Sequence, residues 1–380
     1  MKSYSCPVVA RFIAKILGLA FLGYVVWSLL AGQVERSPST GSRHFEMGLA
    51  YWPPQRQENT DLVVEKGVGI TLDNSEHLLL QIPWSPLVES AHRNAIWMGR
   101  IAASHKRPLT IALDWMDRDR NVLLGSDKKH WSFQEEWVET RFLSDVAILA
   151  DKYRPNFLVL GVEVDFMAIK NPEIFRGFVA TYEKAYRIAK RKSPTTKVSV
   201  SFQFEQIVND NGSTNSLAES TIIRAFGPLL DILGLSVYPC QYFSHPDDLP
   251  DDYLSSVIPS STKVAIFETG WPSSESDASL QKQYVEWILQ AANGVSASLL
   301  VWISTTDGYV SQETGSNKGG PPCKTAVETW HHKLGLWRAS GDAKKAAETW
   351  IEWLSRVPRI SATSAAATTG QKAPDSKLRY

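Results

Sequence analysis

The chain is short of the groups on which several common chemistries depend. Of its 380 residues three are cysteine and eight are histidine. No His-x-x-x-His pair and no cysteine cluster offers metal-ligand spacing, so no metal or other cofactor is expected. No glycine-rich phosphate loop follows an apolar run, which argues against nucleotide chemistry. Charge of one sign is also missing: forty basic and forty acidic residues cancel and give a pI near 7.1. Without a global field, nucleic acid is not an expected partner. No short internal repeat is present, which disfavours a solenoid. Long hydrophobic runs are absent except for one, Ile16 to Ala31, close to the N-terminus.

That run follows Lys2, Arg11 and Lys15 and contains only Tyr24 and Ser28 as mildly polar members. A positive stretch followed by an apolar one reads as a targeting segment over residues 1–31, either a cleaved signal peptide or a membrane anchor. Both readings place the body of the protein outside the cytoplasm, secreted or tethered through this segment. Residues 32–43 are polar and turn-rich and read as a linker. A single folded domain is expected over 44–358, and Ser, Ala and Thr without apolar period mark 359–380 as a disordered tail. Export would permit a disulfide between Cys240 and Cys323, but spacing alone leaves two reduced thiols equally open. Asn211-Gly-Ser fits a glycosylation sequon.

The body is 43% apolar and 11% aromatic, enough for a large core. Eight short apolar runs read as strands: Phe45–Trp52, His77–Trp84, Leu109–Trp115, Phe157–Asp165, Val198–Phe204, Ile232–Tyr238, Val264–Glu268 and Ser298–Ile303. Helical period fills the gaps, as in Phe175, Phe178, Tyr182, Ala185 and Ala189, with Asn171-Pro172 as a cap and first-turn pair. The first unit is the weakest, because 61–73 carries two glycines and no strong period. Continuously apolar strands alternating with helices predict an α/β fold with a parallel sheet, and eight units predict a (β/α)8 TIM barrel.

Active sites of such barrels lie where the strands end. Here the strands end in Trp52, Trp84, Asp114-Trp115, Glu163 and Asp165, Gln203, Tyr238, Glu268 with Trp271, and Trp302. Carboxylates beside indoles suit a carbohydrate, whose C–H faces stack on rings and whose hydroxyls need hydrogen-bond partners. Glu163 on strand four and Glu268 on strand seven face each other across a barrel mouth, the arrangement of paired-carboxylate glycoside cleavage. In the retaining geometry their carboxyls stand about 5 Å apart. Asp165 lies two residues past Glu163, so on a continuing strand it shares that face. The pair His331-His332 reads as the solvated face of a late helix.

These residues resemble the glycoside hydrolases of clan A. Phe267-Glu268-Thr-Gly-Trp-Pro-Ser is similar to the nucleophile motif of the endo-β-1,3-glucanases and arabinogalactan endo-β-1,4-galactanases. Gly234-Leu-Ser-Val-Tyr238-Pro and Leu334-Gly-Leu-Trp-Arg-Ala-Ser-Gly341 are similar to the galactanase pattern, and the resemblance spans about 44 to 356. It implies Glu268 as nucleophile, Glu163 as general acid and base, Tyr238 as the partner holding Glu268, and Trp302 as the platform beneath the sugar. Two positions depart from the pattern. Val162 stands where the clan has an asparagine for the substrate 2-hydroxyl, and strand two offers Gln81 where an arginine is common. Gln203 is the candidate replacement amide. The expectation is a monomeric, exported retaining glycoside hydrolase with a carbohydrate substrate. The alternatives are a carbohydrate-binding pseudoenzyme of the envelope and a structural barrel with a filled mouth.

Overall fold

The computed structural model describes residues 42–52, 61–87, 90–125, 131–210, 220–273, 278–308, 322–323 and 332–358. The targeting segment, residues 32–41 of the linker, the Asn211 sequon and the tail lie outside the described residues. Among those described, no helix is long and apolar enough to cross a membrane.

The chain opens with β1 (Ser42–Arg43) and β2 (Glu46–Ala50), then runs α1 (Asp61–Asp73), β3 (His77–Pro83), α2 (Ser90–Ser104) and β4 (Leu109–Asp114). Next come α3 (Glu136–Tyr153), β5 (Phe157–Val159), α4 (Val164–Lys170), α5 (Pro172–Lys192), β6 (Lys197–Ser199), β7 (Ser201–Gln203) and α6 (Phe204–Asp210). It closes through β8 (Leu233–Val237), β9 (Val264–Thr269), α7 (Ala278–Gly294), β10 (Leu299–Trp302), α8 (Lys345–Leu354) and β11 (Val357–Pro358). All strand pairs are parallel, in the order β6-β5-β4-β3-β2-β10-β9-β8-β7. The two ends of that order, β6 and β7, are halves of one strand interrupted at Val200, so the sheet closes on itself as an eight-stranded TIM barrel. The interruption has a local cause: the Ser199 hydroxyl donates to the carbonyls of Val200 and Ile232, at 2.8 and 2.7 Å, and competes with the ladder there.

Local signals explain the helical shell. Asn171 Oδ1 accepts the Ile174 amide at 3.4 Å and Pro172 begins α5, the cap and first-turn pair read in the sequence. That helix buries Ile174, Phe175, Phe178, Tyr182, Ala185 and Ala189 on one stripe. Helix α1 has a weak period because Gly67 answers to packing: a Cβ there would sit 2.2 Å from the Tyr51 ring.

The folded unit starts before His44. Ser42 and Arg43 pair with Val357 and Pro358, and buried Arg43 donates to the Phe45 carbonyl and to Glu76. The linker as read from composition ended too late, because a buried arginine carries no apolar signal. Cys240 and Cys323 are joined as a disulfide, with Cα atoms 5.1 Å apart. His332 lies in a turn rather than on a helix, and His331 is outside the described residues.

Candidate active site

The carboxyl ends of the strands gather the candidate residues, and register decides which of them meet. On β9, Leu235 pairs with Ile266 and Ser236 with Glu268, so Phe267 is an extra residue. The other neighbour shows the same excess, with Leu300 opposite Ile266 but Trp302 opposite Thr269. Phe267 points inward, its ring 5.5 Å from Phe157 across the barrel. Strict alternation would then turn Glu268 outward. The bulge restores it to the inner face, where Tyr238 Oη donates to Glu268 Oε2 at 3.2 Å.

Glu163 reaches the same space by a different route. The fourth barrel strand stops at Val159, and Glu163 is the residue before α4, with left-handed backbone at φ 50°. Such a conformation is uncommon for a side chain other than glycine and carries local strain. The Glu163 amide donates to Ser201 Oγ at 3.0 Å, which fixes the carboxylate over the mouth. Only 8% of Glu163 and 6% of Glu268 remain exposed.

A third group, Arg120, completes the cluster. Its Nη1 donates to Asp114 Oδ1 at 2.5 Å and its Nη2 lies 3.2 Å from Glu163 Oε2. Asp114 also accepts from Gln81 Nε2 at 3.0 Å, so the strand-two glutamine helps to fix the aspartate that grips the arginine. The turn that presents Arg120 is itself braced. Asp117 Oδ1 accepts the amides of Asn121 and Val122, Met116 bridges Leu123, and Lys170 of α4 donates to the Asp119 carbonyl.

The electrostatics follow from this packing. Burial raises both glutamates above the ordinary carboxylate range; for Glu268 the charge of Glu163 adds to it, while Arg120 and the Tyr238 hydroxyl oppose it. Glu163 is pulled back mainly by Arg120, with Asp114 opposing. Burial alone would lower Arg120, yet Asp114, Glu163 and Glu268 together raise it. Two buried acids that feel one another share a proton more readily than both ionise.

Several expected members are turned elsewhere. Trp84 packs on Phe133 and Phe142 and donates to Asp145; Trp115 packs on Phe133 and Phe178 and donates to the Leu160 carbonyl. Trp271 lies 5.1 Å from Tyr284 of α7. Trp302 shares its register with Thr269, whose hydroxyl is 2.6 Å from Tyr284 Oη, so it too faces the shell, and it donates to the Leu334 carbonyl. All four rings are fully buried, which removes them as stacking surfaces. Trp52 alone of the rim set keeps a free face, 40% exposed, with Nε1 anchored on the Ile303 carbonyl at 2.7 Å.

Asp165 does not share the face of Glu163. The chain becomes helical after Glu163, and Asp165 Oδ1 accepts the Gln203 amide at 2.9 Å in a fully buried position. Two residues along a helix turn the side chain well away from its starting direction. Gln203 does not offer its amide to the cavity: Nε2 donates to Glu205 and Oε1 accepts the Gln206 amide. Glu205 lies two residues past Gln203, in the first turn of α6. It is buried, pushed up to about 8 chiefly by that burial, and takes the Tyr238 amide on both oxygens at 3.0 Å. Arg120 was missed because Asp117-Arg-Asp-Arg reads as a solvated charge run. Among the described residues no group of three His, Cys, Asp or Glu side chains could hold a metal ion.

No protein-family model matches this chain, and no curated protein matches it. Solved structures do. An exo-β-1,4-mannosidase from Opitutaceae bacterium strain TAV5 superposes with a TM-score of 0.59 at 15% identity, over 83% of this chain and 60% of that one. A GH5_18 protein from Bifidobacterium longum subsp. longum in complex with Manβ1-4GlcNAc gives 0.57 at 14%, over 86% and 80%. A β-glucuronidase from Bifidobacterium dentium gives 0.53 at 13%, over 83% and 47%. The chain thus spans about 60% of the mannosidase and about half of the glucuronidase. At these identities the likeness establishes the fold, a TIM barrel like that of glycoside hydrolases.

Proposed function

We propose that this chain is a retaining glycoside hydrolase of β-linked oligosaccharides or polysaccharides. What supports the reading is that Glu163 and Glu268, from strands on opposite sides of the barrel, act on each other's charge and on the same arginine, with Tyr238 bonded to Glu268. In this reading Glu268 attacks the anomeric carbon while Glu163 gives a proton to the leaving oxygen. The covalent glycosyl-enzyme is then opened by water that Glu163 deprotonates. Tyr238 orients Glu268, and Trp52 offers a ring face at the rim. With Val162 in place of the asparagine, hydroxyl recognition next to the reacting carbon falls to other groups, Arg120 and Asp114 among them.

The strand-seven motif directs the first substrates to galactan and laminarin, with xylan beside them. The neighbouring mannosidase adds β-1,4-mannosides. Release of reducing sugar from one of these, and its loss in Glu268→Gln, is the expected result. No release from any of them by a folded protein overturns the reading.

A second reading, a glycan-binding barrel without turnover, is favoured by Val162 and by the four buried indoles. Glycan affinity that survives Glu163→Gln, with no product formed, would select it. We also propose export, by cleavage or by tethering at residues 1–31. The Cys240–Cys323 disulfide fits an oxidising compartment, and fractionation of the native host tests it.

A further inference from the structure

The arginine lies on the unexpected partner. Arg120 contacts Glu163, the residue that the hydrolase reading needs as a proton donor, while Glu268, the residue it needs as a nucleophile, has a tyrosine hydroxyl as its hydrogen-bond partner. A guanidinium beside a carboxylate holds it ionised, and a hydroxyl does so far less. That placement favours charge on Glu163 over charge on Glu268, the reverse of the arrangement that the hydrolase reading needs at the start of catalysis.

We propose that Arg120 is a positioning residue that decides which of the two glutamates carries the proton, holding Glu163 charged until an arriving sugar draws the guanidinium away. The proposal rests on the hydrolase reading for its consequence, but its geometry is independent of it. Arg120 has a second seat to retain, Asp114, itself fixed by Gln81. Its backbone is left-handed at φ 53°, at the tip of the turn braced by Asp117 and by Lys170. The turn holds the base of the side chain while the guanidinium bridges two carboxylates, so release of one leaves the other in place. Its side chain keeps 19% exposure, so a ligand can reach it.

The charged and titratable groups that act on Glu163 come from every side of the mouth. They are Arg120 and Asp114 from the third barrel strand and its loop, and Asp165 from α4. Glu205 follows β7, Tyr238 follows β8, and Glu268 lies on β9. Arg120 is the cation that both glutamates feel. When the sugar takes the guanidinium, the O–H bond of Glu268 breaks and gives its proton to solvent water at the mouth, while the carboxylate of Glu163 takes one up from solvent. The pair carries one negative charge before and after. Glu268 is then ionised for attack and Glu163 is armed as an acid.

The test is a carboxyl titration by NMR on full-length protein carrying 13C-labelled glutamate, with Glu163→Gln and Glu268→Gln used to assign the two signals. In Arg120→Gln the Glu163 midpoint is expected to rise by about one pH unit or more, and Arg120→Lys to restore part of it. Where the wild type cleaves a glycoside, the alkaline limb of kcat/KM moves up in Arg120→Gln and returns toward its place in the lysine variant. A Glu163 midpoint that does not move in Arg120→Gln overturns the assignment even if hydrolysis is observed. A midpoint that moves in a protein that cleaves no glycoside upholds Arg120 and overturns the hydrolase reading alone.

Discussion

The two ends of the barrel bury ionisable groups in opposite ways. At the amino ends of the strands, His77 lies between Glu46 and Thr110, with both ring nitrogens bonded at 2.9 and 2.8 Å, and Lys197 sits over the Phe157 ring. Burial would raise Glu46, but His77, Lys197 and Arg43 bring it below its ordinary range. At the carboxyl ends, Glu163, Asp165, Glu205 and Glu268 are all raised, and Asp165 Oδ2 and Gln81 Oε1 are buried without a hydrogen-bond partner among the described residues. Opposite charges meet at the amino end, where Arg43 Nε is a buried atom without a partner among the described residues, while the carboxyl end concentrates acids that repel. In a TIM barrel the first arrangement serves stability and the second is available for chemistry.

The strongest way to break this contrast is Glu268→Gln. Turnover on the responsive glycoside should fall by about 10³-fold or more, as when a covalent nucleophile is removed. Thermal stability should hold or rise, since one repelling acid has gone from the mouth. A lost Tm together with lost activity would mean that Glu268 is structural. Next in size is Trp84→Ala, which empties a ring held between Phe133 and Phe142. A cost of about 3–5 kcal/mol in denaturant unfolding is expected of a core indole, with KM unchanged if the variant folds. A selective rise in KM would return Trp84 to the sugar.

At the amino end, His77→Ala orphans Glu46 and Thr110 and should cost about 1–3 kcal/mol, with kcat and KM intact. A change in the pH profile would couple the two ends and spoil the comparison. The smallest effect is on pH. Glu205 is raised from 4.5 to about 8, so the folded protein keeps a proton that the unfolded chain has released across that window. Its stabilising contribution is complete below about 4.5 and is lost as pH climbs through about 8, so Tm should decline over that range. Glu205→Gln should flatten the decline by about 2 °C or more. An unchanged slope would show that Glu205 is not protonated in the fold.

Much of the scaffold was legible because its signals are local. Continuous apolar runs mark buried parallel strands, and Asn171-Pro172 marks the start of α5 wherever the rest of the chain goes. The site was legible in part. Asking what each strand ends with singles out Glu163, Glu268, Tyr238 and Asp114; in the fold Arg120 joins Asp114 to Glu163, and Tyr238 bonds Glu268. Four of the five rim tryptophans, Trp84, Trp115, Trp271 and Trp302, were not legible, since an indole at a strand end has the same sequence signature whether it faces a sugar or a helix. Asp165 was misplaced because the fourth strand was read as running past Glu163, whereas the chain turns helical there.

Composition and periodicity by themselves settled eight parallel strands, a helical shell and a rim of acids, since each follows from hydrophobic spacing within a few residues. Only the tertiary structure decided which rim residues meet. The extra residue Phe267 turns Glu268 inward, and the neighbouring register turns Trp302 out. A turn far from either glutamate in the chain lays Arg120 against Glu163. Those outcomes depend on register and on ion pairing between distant segments, and neither leaves a periodic trace in the sequence.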